Sequence, residues 1–161
     1  GVQTAVVEDM AGCAASWFVA RLLDLPPGLC RTTPQHFLSF PQGREIARHV
    51  LEEGLEVLRR LGHQPARLPC ADPEELLEAL AGREQDFDAL RSAPGREWGE
   101  ALQRTLRGER LPPRGPNETL VRLASQAGSS APWNWRLSGK RGRLQQGAFF
   151  RSPAELLEAI G

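Results

Sequence analysis

The sequence predicts an all-α fold, a single helical domain of seven or eight helices over residues 1–161, on three observations. Apolar residues recur at helical spacing through most of the chain, no segment alternates apolar and polar with period two, and helix-start punctuation is repeated. At 161 residues the chain is long enough for one core and too short for two.

Residues 4–23 open the series. Their small residues, Ala11, Gly12, Ala14 and Ala15, allow another backbone to approach closely, which predicts a central, buried helix; Trp17, Phe18, Val19, Leu22 and Leu23 follow. Leu25-Pro26-Pro27-Gly28 is read as its stop. Residues 31–42 carry Pro34 and Pro41 and no period, so a connecting loop is expected. The clearest helix is GREIARHVLEEGLEVLRRLG, 43–62. There Ile46, Val50, Leu51, Leu55, Leu58 and Leu61 form one stripe, while Arg44, Arg48, Glu52, Glu56 and Arg60 face water. Glu56 and Arg60 stand in the favourable i, i+4 order, and Gly62 is the expected terminator.

Asp72-Pro73-Glu74-Glu75 starts the next helix with an acidic N-cap and a first-turn proline, and Ser152-Pro153-Ala154-Glu155 repeats the device before LLEAI. Short helices are expected at 83–92 and 96–107, followed by the break ERLPPRGP. NETLVRLASQAGSSAPWNWRL, Asn117 to Leu137, then reads as two helices joined through Gly128 and Pro132. Only RLQQGAFFR, 143–151, is ambiguous.

Twenty basic and 20 acidic residues cancel, so no global field recruits nucleic acid or an anionic membrane. Lys140 is the only lysine, which leaves one candidate for any mechanism that needs an amine. Cys13, Cys30 and Cys70 are odd in number and without a C-x-x-C, so a reducing cytoplasm is expected. His36, His49 and His63 lack the i, i+4 spacing of a metal site, and no metal is expected. The uncharged run between Asp9 and Arg21 falls well short of the ~20 residues a membrane span needs.

Catalytic signals are weak. Adjacent acids, Glu8-Asp9, Glu52-Glu53 and Glu74-Glu75, point to different helix faces, so none makes an acid/base pair; helix starts or solvated faces are their expected roles. Neither G-x-G-x-x-G nor a P-loop occurs. Cys13 has no histidine near it in sequence and reads as a core thiol. Arg136, Lys140, Arg141, Arg143 and Arg151 interleave with Trp133, Trp135, Phe149 and Phe150, which admits a nucleic-acid surface. A solvated face with inward aromatics is the favoured reading, and the four tryptophans are expected to be packing anchors.

In the order of its parts the chain resembles the C-terminal domain of the ketopantoate reductase family, a helical domain similar to that of 6-phosphogluconate dehydrogenase-like proteins. ARHVLEEGLEVLRRLGHQPARLP looks like the family's second main helix, and SPAELLEAIG fits its tail. NETLVRLASQAGSSAPWNWRL is similar to its closing unit, where an Asn-Gly opens a helix (Asn117-Glu118 here), a Gly ends it and Pro-x-Asn-x-x-Leu begins the next. The resemblance implies reduction of 2-dehydropantoate to pantoate with NADPH, in the cleft between this domain and an N-terminal dinucleotide-binding domain. These 161 residues do not contain that partner domain.

In the family a Lys on the first helix donates the proton, and Asn residues at four-residue intervals orient the substrate on the same helix face. The matching positions here hold Ala5, Asp9 and Cys13. Glu100, Ala101, Thr105 and Pro112 stand where the family has Ser, Ser, Asp and Glu, while Asn117 and Asn134 match. The expectation is therefore a domain without its catalytic group, with Asp9, Cys13, Asn117 and Asn134 as the remaining substrate-side positions. A non-catalytic dimerisation or protein-interaction module on the same scaffold, with Trp98, Trp133 and Trp135 to bury a partner surface, is the alternative, and a homodimer is one form of it; an active reductase with a displaced acid is a third.

Overall fold

The computed structural model describes residues 9–66, 72–81 and 114–161. Among these residues the chain is helical and without strands, as the periodicity predicts. Helix α1 spans Met10–Arg21, and a 3-10 turn, Leu22–Asp24, carries it into α2, Leu25–Leu29. Then come α3 (Pro34–Leu38), α4 (Pro41–Arg60), α5 (Pro73–Ala81), α6 (Pro116–Gln126), α7 (Pro132–Gln145) and α8 (Pro153–Ile160). The expected helices at 83–92 and 96–107 lie outside the described residues.

Prolines start helices here more often than they stop them. Pro26 sits in the first turn of α2, where its missing N–H has no intrahelical partner to lose, so Leu25-Pro26-Pro27-Gly28 does not end the helical path. The loop expected over 31–42 is instead α3 and the opening of α4, because Pro34 and Pro41 each hold a first helical position. Thr33 caps α3 by accepting from the His36 amide at 3.2 Å.

The central helix is α4 rather than the segment at 4–23. It touches every other described helical element. Ile46, Val50, Leu51, Leu55 and Leu58 are buried along its inner face. Burial of such a side chain stabilises by about 1.5–3 kcal/mol. The exposed Arg48–Glu52 and Arg60–Glu56 pairs on the wet side contribute only ~0.3–0.5 kcal/mol each. The apolar stripe decides the orientation.

The close approach that the small residues of α1 predict does occur, but against an incoming loop. The Ala66 amide donates to the Gly12 carbonyl at 3.0 Å, and the Ser16 hydroxyl donates to the Ala66 carbonyl at 2.6 Å. A Cβ on Gly12 would stand 2.9 Å from that of Ala66. Gly62 ends α4 with φ +80, letting its own amide reach the Arg59 carbonyl and the His63 amide reach the Leu58 carbonyl. Gly128 repeats this arrangement after α6.

The ambiguous stretch 143–151 divides: α7 continues to Gln145, and the chain then turns back so that the Phe150 amide donates to the Leu29 carbonyl at 2.8 Å. Phe150 is buried beneath the Arg143 guanidinium, 4.3 Å from the ring centroid. Trp135 departs from the expected anchoring role. It is 64% exposed, because it follows Asn134 and lies off the face of α7 that buries Asn134 and Leu137. No helix among the described residues is long and apolar enough to cross a membrane.

Candidate functional site

The first turn of α7 needs acceptors that its own chain does not provide. Ala131 is the N-cap and has no polar side chain, so the Trp133 and Asn134 amides face outward from the helix unsatisfied by it. Glu53 of α4 supplies both acceptors: Oε1 takes the Trp133 amide at 2.8 Å and Oε2 takes the Asn134 amide at 3.0 Å. A carboxylate at a helix N-terminus also meets the positive end of the helix dipole.

Two buried carboxamides extend this junction. Asn134 Nδ2 donates to Glu53 Oε2 at 2.8 Å and to the Val50 carbonyl at 3.3 Å. Asn117 Nδ2 donates to Asn134 Oδ1 at 2.8 Å and to the Leu22 carbonyl at 3.0 Å, at the end of α1. Asn134 is 0% exposed and Asn117 1%. Leaving such donors unpaired in the interior would cost about 1–3 kcal/mol each, so the pairing is an energetic requirement of the fold. The His49 ring stacks on Trp133 at 4.2 Å and 12°, adding a second contact between α4 and α7. One polar network thus joins α1, α4, α6 and α7.

Glu53 departs from the helix-start or solvated-face role expected of the paired acids. Glu52 is exposed, and Glu53 turns inward. The signal was present in the sequence: Glu53 lies three residues after Val50 and four before Val57, on the apolar stripe.

The sequence-predicted positions separate into two groups. Asn117 and Asn134 meet in the network. Asp9 is the N-cap of α1, accepting from the Gly12 amide at 2.8 Å, and the half-buried Cys13 lies one turn further on. Asn117 contacts the opposite end of α1, at Leu22, some ~20 Å of helix away from Asp9. Ala5, Glu100, Ala101, Thr105 and Pro112 fall outside the described residues. Lys140 lies on α7 beside a surface cleft that also includes Trp135, Arg136 and Ile160.

Cys13 and Cys30 are free thiols. Burial first, and the Glu155 carboxylate second, push Cys30 up to about 12, so its sulfur stays protonated and unreactive at neutral pH. Among the described residues no group of three or more His, Cys, Asp or Glu is placed to hold a metal ion. The residues at the start of α7 do not fit a dinucleotide phosphate either, because Glu53 already occupies the position an anion would take. Chemically, the network can hold helices in register; its carboxamides are shut off from solvent. No protein-family model matches the chain, and no curated protein matches it.

Proposed function

We propose that this chain is the substrate-side helical domain of a ketopantoate reductase-like oxidoreductase in which the proton-donor position has been lost, so that the domain has a structural role and is not catalytic by itself. The observation that carries the reading is the union of Asn117 and Asn134 with Glu53. It ties the closing unit, 117–137, to the long helix, so that the two segments that carry the family resemblance pack directly on each other. The sequence places no lysine near Asp9 and Cys13 along α1, and the sole lysine lies on α7. NADPH belongs, on this reading, to a dinucleotide-binding domain outside these 161 residues. A reducing cytoplasm accompanies it, in which the cysteines remain thiols.

A chimera tests both halves of the proposal. A dinucleotide-binding domain from an active ketopantoate reductase, joined ahead of this chain, is expected to bind NADPH but not to oxidise it with 2-dehydropantoate. Adding Ala5→Lys, Asp9→Asn and Cys13→Asn should raise turnover by about 10² or more, the usual contribution of a positioned acid. Turnover by the unsubstituted chimera would contradict the loss of chemistry. A folded, NADPH-binding chimera that the three substitutions leave inert would contradict the family reading.

One observation favours a second reading, a homodimerisation module: the exposure of Trp135. Light scattering behind size-exclusion chromatography distinguishes it, since a monomer at high concentration excludes it.

A further inference from the structure

A single exposed apolar residue needs no explanation, but Trp135 borders a cleft. The cleft has a volume of about 380 Å³, within the range of small-ligand sites. Helical spacing arranges one of its walls. Trp135 and Gly139 are one turn apart, and so are Arg136 and Lys140, which sets an apolar column beside a basic one. Ala159 and Ile160 line the cleft from α8 and bring no charge.

We propose that this cleft binds a small aromatic carboxylate, with its ring against the Trp135 indole and its anion at the Lys140 ammonium. Gly139 leaves room for the ring, since a Cβ built there meets nothing within 4 Å. Arg136 is held in place by donating from Nη1 to the Ile160 carbonyl at 2.9 Å. Lys140 makes no hydrogen bond or ion pair with any described residue, so its charge is available to a ligand. Among the described residues no acidic side chain lines the cleft, and the two bases outnumber its one negative group there, the Gly161 α-carboxylate of this chain. With the whole chain neutral, attraction of the anion is a local property of these two bases. An indole face with an ammonium beside it favours a flat anion over a flat neutral molecule.

The full chain, labelled with ¹⁵N, is titrated with 1-naphthoate while the Trp135 indole N–H and the Gly139 amide are followed by NMR. Saturable shifts at both are expected, with a Kd on the order of 1 mM or tighter. Lys140→Ala should weaken binding about tenfold, the loss of one charge-assisted hydrogen bond, and neutral 1-naphthalenemethanol should bind weaker by about the same factor. Gly139→Leu should abolish binding by filling the notch while keeping or raising Tm, because leucine is the better helix former. Trp135→Ala, at a mostly hydrated position, removes the stacking surface independently and should also lose the ligand. Absence of saturable shifts, equal affinity for the acid and the alcohol, or undiminished binding by folded Gly139→Leu would each overturn the proposal.

Discussion

Glu53 is the residue on which the polar junction depends, because three donors converge on its two oxygens. Glu53→Ala should cost about 2–4 kcal/mol, combining the loss of a helix cap with stranded interior donors. Glu53→Gln keeps one carbonyl oxygen and should cost roughly half as much. Urea denaturation with an unchanged m-value measures both; an alanine variant within ~0.5 kcal/mol of wild type would mean that water replaces the carboxylate without loss. Sequence reasoning found Asn117 and Asn134 as positions but not the partner that explains them. As neighbouring pairs the carboxylates carry no signal; the informative feature is a single acid in register with Val50 and Val57. Nor was the exposure of Trp135 legible, since an interior and a surface tryptophan differ by a single step around a helix.

At the scale of elements, the packing of α3 on α4 turns on Gly43. A Cβ there would overlap the Phe37 carbonyl oxygen and stand 3.1 Å from Phe37 Cδ1. Backbone cannot rotate away as a side chain can, so Gly43→Ala should lower stability by about 1–3 kcal/mol. Gly139→Ala, in open space within α7, should raise it by roughly 0.5–1 kcal/mol. Opposite Tm shifts from the same chemical change would locate the effect in space rather than in propensity; shifts of the same sign would refute the packing argument. The long elements were legible. Apolar spacing marked α4, Asp72 and Ser152 marked the starts of α5 and α8, and both side chains accept the hydrogen bonds expected of caps. The short ones were not. Pro34 and Pro41 mark helix starts as well as chain breaks, and the five residues of α3 are too few for a periodic pattern to choose between them.

For the molecule as a whole, α4 is the axis and the network at Glu53 is the point where the closing helix pair meets it. The all-α class followed from periodicity alone, but the identity of the central helix did not: small residues mark a close approach without telling what approaches. If the network braces the fold, its amides should open only when the whole molecule unfolds. Amides in the first turn of a helix ordinarily exchange quickly, having no partner within the helix. Native-state hydrogen exchange at Trp133 and Asn134 therefore tests the account most directly. It predicts exchange free energies within about 1 kcal/mol of the global unfolding value. Exchange through a local opening several kcal/mol below that value would contradict a structural brace and indicate a junction that opens to solvent, as a substrate-binding site must.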